Sequence, residues 1–283
     1  MPKPEMYKKT YLIYFISFVL IFNSCKQAIL QNPTTKKSDI EYRFANGQIF
    51  IRLEARTGVQ RYPRKIWALL DSGSNQNLAV GLNEPTQFQI AWQDQIQKFD
   101  FYPLGSNLPP EYEMILGQPF FRKNCIELEF GIPKQIFDNK NKTCDWGVNE
   151  HVQSVQIIHE SSQYYVKAKI AEQTLSVALD TGSAITAIPG QKFGHQMSAL
   201  PQAKRVLDIY GRKQKLIVYK LETNISIGQN EFFPTIVLNS NEIWMEEGEY
   251  KPTVGMDFFL TFRIYIDFGS KILGIENHEQ FKR

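Results

Sequence analysis

Residues 67–79 read WALLDSGSNQNLA, and residues 176–188 read SVALDTGSAITAI. Each is an apolar run that ends in Asp, followed by Ser or Thr, then Gly, then Ser. Each comes after another β-rich run and a turn: IFIRLEAR from residue 49, and YYVKAKI from residue 164. Short apolar runs bounded by turn residues read as buried strands. Alone, an Asp-Ser/Thr-Gly triplet is a β-turn, because those residue types dominate turns. A shuffled chain of this composition would hold roughly 0.06 such triplets, so two in matching contexts carry information.

A second matched pair lies downstream of the first. LGQPFFRKNCIELEFG occupies 116–131 and VGMDFFLTFRIYIDFG occupies 254–269. From Gly117 and Gly255 onward, six of 15 aligned positions are identical. The Asp pair is offset by 109 residues and the Gly pair by 138, so the second copy carries 29 extra residues between its landmarks. This is the signature of a duplicated β unit of roughly 110–130 residues, within the usual range for a domain. Further β-rich runs at 48–55, 66–70, 126–130, 164–170, 175–179, 216–221, 235–238 and 262–268 make the body all-β, with one short helix predicted over 196–206 and interrupted at Pro201. The organisation predicted is a signal peptide over 1–24, a tether over 25–39, one β lobe over 40–150 carrying Asp71, and a second over 151–283 carrying Asp180.

Composition excludes several classes. Hydrophobic residues at 43% and charged residues at 22% are ordinary for a globular protein. A net charge of +3 is too even to imply nucleic acid. The four histidines, His151, His159, His195 and His278, show no metal spacing and no Gly-x-Ser-x-Gly partner, so no metal site and no serine hydrolase is expected. Asp267-Phe268-Gly269 spells a kinase triplet, but Glu129-Phe130-Gly131 stands at the matching place and no other kinase element is present.

The N-terminus reads as a targeting segment outside the fold: Lys8 and Lys9, an apolar run over 11–22, then Asn23-Ser24-Cys25. The run is short of the ~20 residues that span a bilayer. It resembles a bacterial lipoprotein signal, which implies cleavage before Cys25 and lipidation of its thiol. An ordinary cleaved signal peptide or an uncleaved anchor are the alternatives. Each of them implies export. Cys125 and Cys144 then remain, either paired in an oxidising compartment or as two free thiols.

The two Asp motifs, with Ile115-Leu116-Gly117, Thr253-Val254-Gly255 and the closing strand from Tyr265, resemble the aspartic proteases of the pepsin and retroviral-protease superfamily in their single-chain, two-lobe form. The resemblance implies two similar β lobes of the acid-protease type with an active-site cleft between them, and catalytic roles for Asp71 and Asp180. It implies that Ser72 and Thr181 brace the two loops. Ser74 and Ser183 are expected to hydrogen-bond the carboxylates' outer oxygens, while Gly73 and Gly182 permit the sharp turns. A mobile hairpin, the flap, is expected near Tyr210 in the second half; its first-half counterpart, 88–101 around Trp92, is poorly patterned. Two carboxylates a few ångströms apart cannot both ionise, so one can take a proton from water while the other donates one. The expectation is an exported, lipid-anchored, monomeric aspartic endopeptidase, periplasmic or at the cell surface of a bacterium. It would act on an extended peptide or protein, held to the membrane by its N-terminal lipid, with no metal, cofactor or nucleic acid. The alternative is a catalytically inactive lipoprotein of the same fold that binds peptides or a protein partner.

Overall fold

The computed structural model describes residues 19–21, 40–58, 60, 62–92, 95–105, 108–129, 132–136, 144, 151–207, 213–243 and 251–277. The described chain is all-β, with two similar lobes of the acid-protease type and only short helices.

The first lobe grows from the strand Gln48–Thr57. Ile49, Ile51 and Leu53 face the main core, while Phe50 on the opposite face packs with Leu69, Tyr112 and Ile115. A strand buried on both faces needs a continuous apolar run, and this sequence supplies it. Gln48–Thr57 pairs antiparallel with Arg64–Leu70, which pairs parallel with Met114–Leu116 on its other side. Asn77–Ala79 and the hairpin Thr86–Trp92/Gln95–Pro103 complete the sheet. Thr86–Trp92 also pairs back onto Gln48–Thr57, curling the sheet closed.

The second lobe repeats the path. Gln163–Ile170 pairs antiparallel with Gln173–Leu179, which pairs parallel with Thr253–Val254. Arg64–Leu70 and Gln173–Leu179 follow the same course, exposed at the start and buried over the last three residues before Asp. The extra length of this half is taken up by the hairpin Met197–Leu207/Lys213–Leu221, whereas Ile225–Ile227, paired to Gln163–Ile170, and Val237–Asn239, parallel to Ala187–Ile188, stand where Thr86–Trp92 and Gln95–Pro103 stand in the first half. Of residues 196–206, predicted helical, Gln196 ends a single 3-10 turn, Gly194–Gln196, and the rest form one arm of that hairpin. Pro201 falls where the register shifts between Ala199 and Ala203, a bulge that tolerates its missing N–H. Residues 19–21, expected outside the fold, form a short strand against 205–207 at the edge of the same sheet.

A third sheet joins the lobes. Its order is Ile132–Ile136, Cys125–Glu129, Arg263–Asp267, Ile272–Glu276 and Val152–Gln156. The central pair, Cys125–Glu129 and Arg263–Asp267, are the two copies of one repeated segment, and they run antiparallel. Beside them Phe120, Phe121, Phe258, Phe259 and Phe268 belong to one core that spans both lobes.

Candidate active site

The strands Arg64–Leu70 and Gln173–Leu179 deliver Asp71 and Asp180 to the lobe interface. Each Asp N–H extends the parallel ladder by one bond: Asp71 to Leu116 O at 3.0 Å and Asp180 to Val254 O at 3.1 Å. The chain then turns so that two successive N–H groups face the carboxyl. Gly73 and Ser74 each donate to Asp71 Oδ1 at 3.0 Å. Gly182 and Ser183 donate to Asp180 Oδ1 at 2.9 and 3.1 Å.

The two loops are bound to each other reciprocally. Ser72 N–H donates to Thr181 Oγ1, and Thr181 N–H donates to Ser72 Oγ, both at 2.9 Å. Each hydroxyl then donates to a carbonyl of the opposite lobe: Ser72 to Leu179 O and Thr181 to Leu70 O, again at 2.9 Å. Glycine is required at the crossing. A Cβ on Gly73 would come within 2.7 Å of Asp180 Oδ2, and one on Gly182 within 2.7 Å of Asp71 Oδ2. Each carboxyl thus lies against the glycine of the opposite loop.

Both groups are buried, Asp71 at 0% and Asp180 at 2% exposure. Burial is the main cause that lifts both above the ordinary carboxylate range. For Asp71 the charge of Asp180 and the hydrogen bond to it add to the rise, placing it well above that range. For Asp180 the bond from Asp71 and the N–H donors of Gly182 and Ser183 pull back, leaving it at about 6. Burial and mutual repulsion raise both groups, so the pair holds one proton between its two members over the acidic range, which is the requirement for acid–base work by two like groups.

Not every expected contact forms. The hydroxyls of Ser74 and Ser183 do not donate to the outer carboxyl oxygens; they donate to Gln76 O at 2.7 Å and Ile185 O at 2.8 Å. Support for the carboxyls comes instead from the backbone N–H groups of the same residues. Tyr210 and Cys25 lie outside the described residues. Cys125 and Cys144 are disulfide-bonded, with Cα atoms 5.3 Å apart, and pack on Tyr265. Trp92 is a core residue, edge-on to Phe120 at 5.5 Å, and its hairpin lies along its own sheet. A surface hollow of about 620 Å³ on the first lobe, lined by Gln76, Lys98, Asp100 and Arg122, includes neither Asp71 nor Asp180.

Several supporting residues were not singled out from sequence. Asn77 and Thr186 both stand six residues after the Asp. Asn77 Oδ1 accepts the Gly117 N–H at 2.9 Å; Thr186 Oγ1 accepts the Gly255 N–H at 3.2 Å and donates to Asp257 Oδ1 at 2.7 Å. Their equal spacing from the motif was a readable signal. Gln48 and Gln163 also reach the site, donating through Nε2 to Gly182 O and Gly73 O. Their distances from the Asp differ between halves, which hides the correspondence.

Comparison with known proteins corrects the expected kinship. No protein-family model matches the chain, and no curated protein matches it. Solved structures that it resembles are the basic 7S globulin from soybean and conglutin gamma, a basic 7S globulin from lupine seeds. The soybean protein is 9% identical at a TM-score of 0.46, over 84% of this chain and 94% of that one. Conglutin gamma is 8% identical at a TM-score of 0.51, over 83% of this chain and 93% of that one. The chain is thus not assigned to the pepsin and retroviral-protease superfamily that its two motifs suggested: conglutin gamma is a basic 7S globulin, and at 8% identity the likeness to it is one of fold alone.

Proposed function

We propose that this protein is an aspartic endopeptidase whose Asp71/Asp180 pair activates a water molecule for peptide-bond hydrolysis. One observation carries the reading: two buried carboxyls, one from each lobe, each lie against the glycine of the opposite loop and are held by matching pairs of backbone N–H donors. A carboxyl pair buried for structural reasons alone would be costly unless both groups stayed neutral. The chemistry follows from a pair that shares one proton. Ionised Asp180 takes a proton from the water as its oxygen attacks the scissile carbonyl carbon. Protonated Asp71 gives its proton to the carbonyl oxygen, forming a neutral gem-diol. Collapse breaks the C–N bond, the departing nitrogen takes a proton from Asp180, and Asp71 recovers its own from the diol. Substrate lies extended, its main chain paired at a strand edge. We further propose, on sequence grounds, that the protein is exported and held at a bacterial membrane by lipid on Cys25.

The test is turnover of a fluorogenic peptide library from about pH 3 to about pH 8. Asp71→Asn and Asp180→Asn should each reduce cleavage to background while the fold persists. Unchanged turnover in either variant removes the mechanism. The position of the first-lobe hairpin, lying on its own sheet, favours a second reading in which the interface holds a peptide without cutting it. Binding of library peptides with no cleavage at any pH would establish that reading.

A further inference from the structure

Beneath the dyad lies a second layer of contacts between the lobes. Gln48 and Gln163 open the strands Gln48–Thr57 and Gln163–Ile170, and both are fully buried. A buried primary amide must find partners for its donors. Each glutamine finds one on the opposite lobe. Gln48 Nε2 donates to Gly182 O, and Gln163 Nε2 donates to Gly73 O, the latter at 2.9 Å. These carbonyls belong to the peptide units whose N–H groups, on Ser183 and Ser74, donate to the two carboxyls. A carbonyl that accepts a hydrogen bond polarises its peptide and strengthens the N–H on the far side. Each lobe's glutamine therefore acts on the other lobe's aspartate through one peptide unit.

The two chains of contacts end differently. Tyr112, 1% exposed, donates its hydroxyl to Gln48 Oε1 at 2.6 Å. Its ring packs edge-on against Phe50 at 5.2 Å. Gln163 Oε1 is buried and accepts from no partner among the described residues. The charged groups that act on Tyr112 are Glu111, Asp71 and Arg43; the charge that acts on Asp71 is Asp180. Arg43 itself lies over the Trp67 ring at 4.6 Å.

We propose that Gln48 and Gln163 are reciprocal positioning residues for the dyad, and that the Tyr112 hydroxyl, standing behind Gln48 alone, makes the two aspartates inequivalent. The inference rests on Asp71 and Asp180 being the working pair. The side of the dyad with the complete chain is that of Asp180. An acceptor that receives the better-polarised N–H is the better-stabilised anion, so the Tyr112–Gln48 chain favours charge on Asp180.

The test uses the full mature chain, with Tyr112→Phe, Gln48→Met and Gln163→Met. Methionine keeps the side-chain volume and removes the donor; phenylalanine removes one hydroxyl and keeps the ring, so it also serves if the methionine variants fail to fold. Carboxyl carbons of Asp71 and Asp180 are titrated by NMR, and kcat and KM are measured on a peptide that the unmodified protein cuts. Tyr112→Phe and Gln48→Met should move the Asp180 titration upward, and Gln163→Met the Asp71 titration. The methionine variants should lose on the order of 10²-fold in kcat with KM little changed. Titration curves that superimpose on the unmodified protein's in all three variants overturn the proposal, even if peptide is still cut. Shifted titrations in a protein that cuts no peptide uphold the positioning role and remove the peptidase reading instead.

Discussion

Glu127 and Tyr265 lie directly opposite each other on the two central strands of the bridging sheet, and each is the other's counterpart in the repeat, 138 residues apart. An element that pairs antiparallel with its own copy at such a self-matching position generates a local twofold axis. The reciprocal bonds of Ser72 and Thr181 obey the same operation. The duplication seen in the sequence is therefore a symmetry of the folded molecule, and both aspartates sit at its centre.

Removal of one brace should be costly, and removal of both should not cost twice as much. Ser72→Ala strips the Thr181 N–H of its acceptor and the Leu179 carbonyl of its donor. The expected loss is about 1–3 kcal/mol in chemical denaturation. Thr181→Ala should match it, and the double variant should fall short of the sum because the two hydroxyls share one network. Strict additivity would show that the contacts act separately.

Stability should fall as pH rises through the weakly acidic range. Asp257 is pushed up to about 6, chiefly by burial, Asp180 also lies at about 6, and burial holds Asp71 well above the ordinary carboxylate range. In the unfolded chain all three ionise near the ordinary Asp value of about 3.9. Between about pH 4 and about pH 6 the folded protein holds protons that the unfolded chain has released, so stability declines with rising pH there. Below that window both states are protonated and these groups have no effect. Asp257→Asn, which cannot ionise, should flatten part of the slope in a series of thermal midpoints. An identical slope would remove Asp257 from the account.

The disulfide should stabilise without shaping the site. Cys125 and Cys144 close a loop with a sequence separation of 19, and Cys144 N–H also donates to Asp267 Oδ2 at 3.3 Å. Chain entropy alone makes such a closure worth about 3 kcal/mol. Reduction should lower the denaturation midpoint accordingly, while the titration of the aspartates stays as it was. A shift in that titration would mean that the bridge reaches the dyad.

The ion cluster across the lobes should show the penalty of a broken buried pair. Arg263 Nε donates to Glu127 Oε1, and a second guanidinium nitrogen lies 3.5 Å from Glu276 Oε2. Both glutamates are buried. Arg263→Met should cost about 3–5 kcal/mol, because it strands carboxylates out of water. Adding Glu127→Gln should restore part of that loss. A double variant less stable than Arg263→Met alone would show that the stranded Glu127 carboxylate carries no penalty.

Much of this architecture is legible in the residues. The apolar triplets before Asp71 and Asp180 announce buried strands, and the shared Gly-to-Gly segment places the bridging sheet. The glycines beside each Asp follow from the crossing of two loops. The readings that failed did so for tertiary reasons. Residues 196–206 carry no strong period, and an available partner strand at 213–221 overrode local preference. The serine hydroxyls could not be aimed from sequence, because the turn brings the carbonyls of Gln76 and Ile185 within their reach. Gln48, Gln163 and Tyr112 were hidden because glutamine on a strand has no pattern, and its target lies in the other half of the chain.

The bridging sheet also bears on how the molecule can diverge. A dimer of identical halves must accept every substitution twice, once on each side of its axis. Joining the copies in one chain lifts that restriction. Pro119 and Asp257 occupy matching positions, as do Asn77 and Thr186, so a carboxyl could enter the support of one loop and not the other. Only the second half gained the long hairpin Met197–Leu207/Lys213–Leu221. Continuity of the polypeptide across the axis is what lets two copies of one motif acquire separate duties.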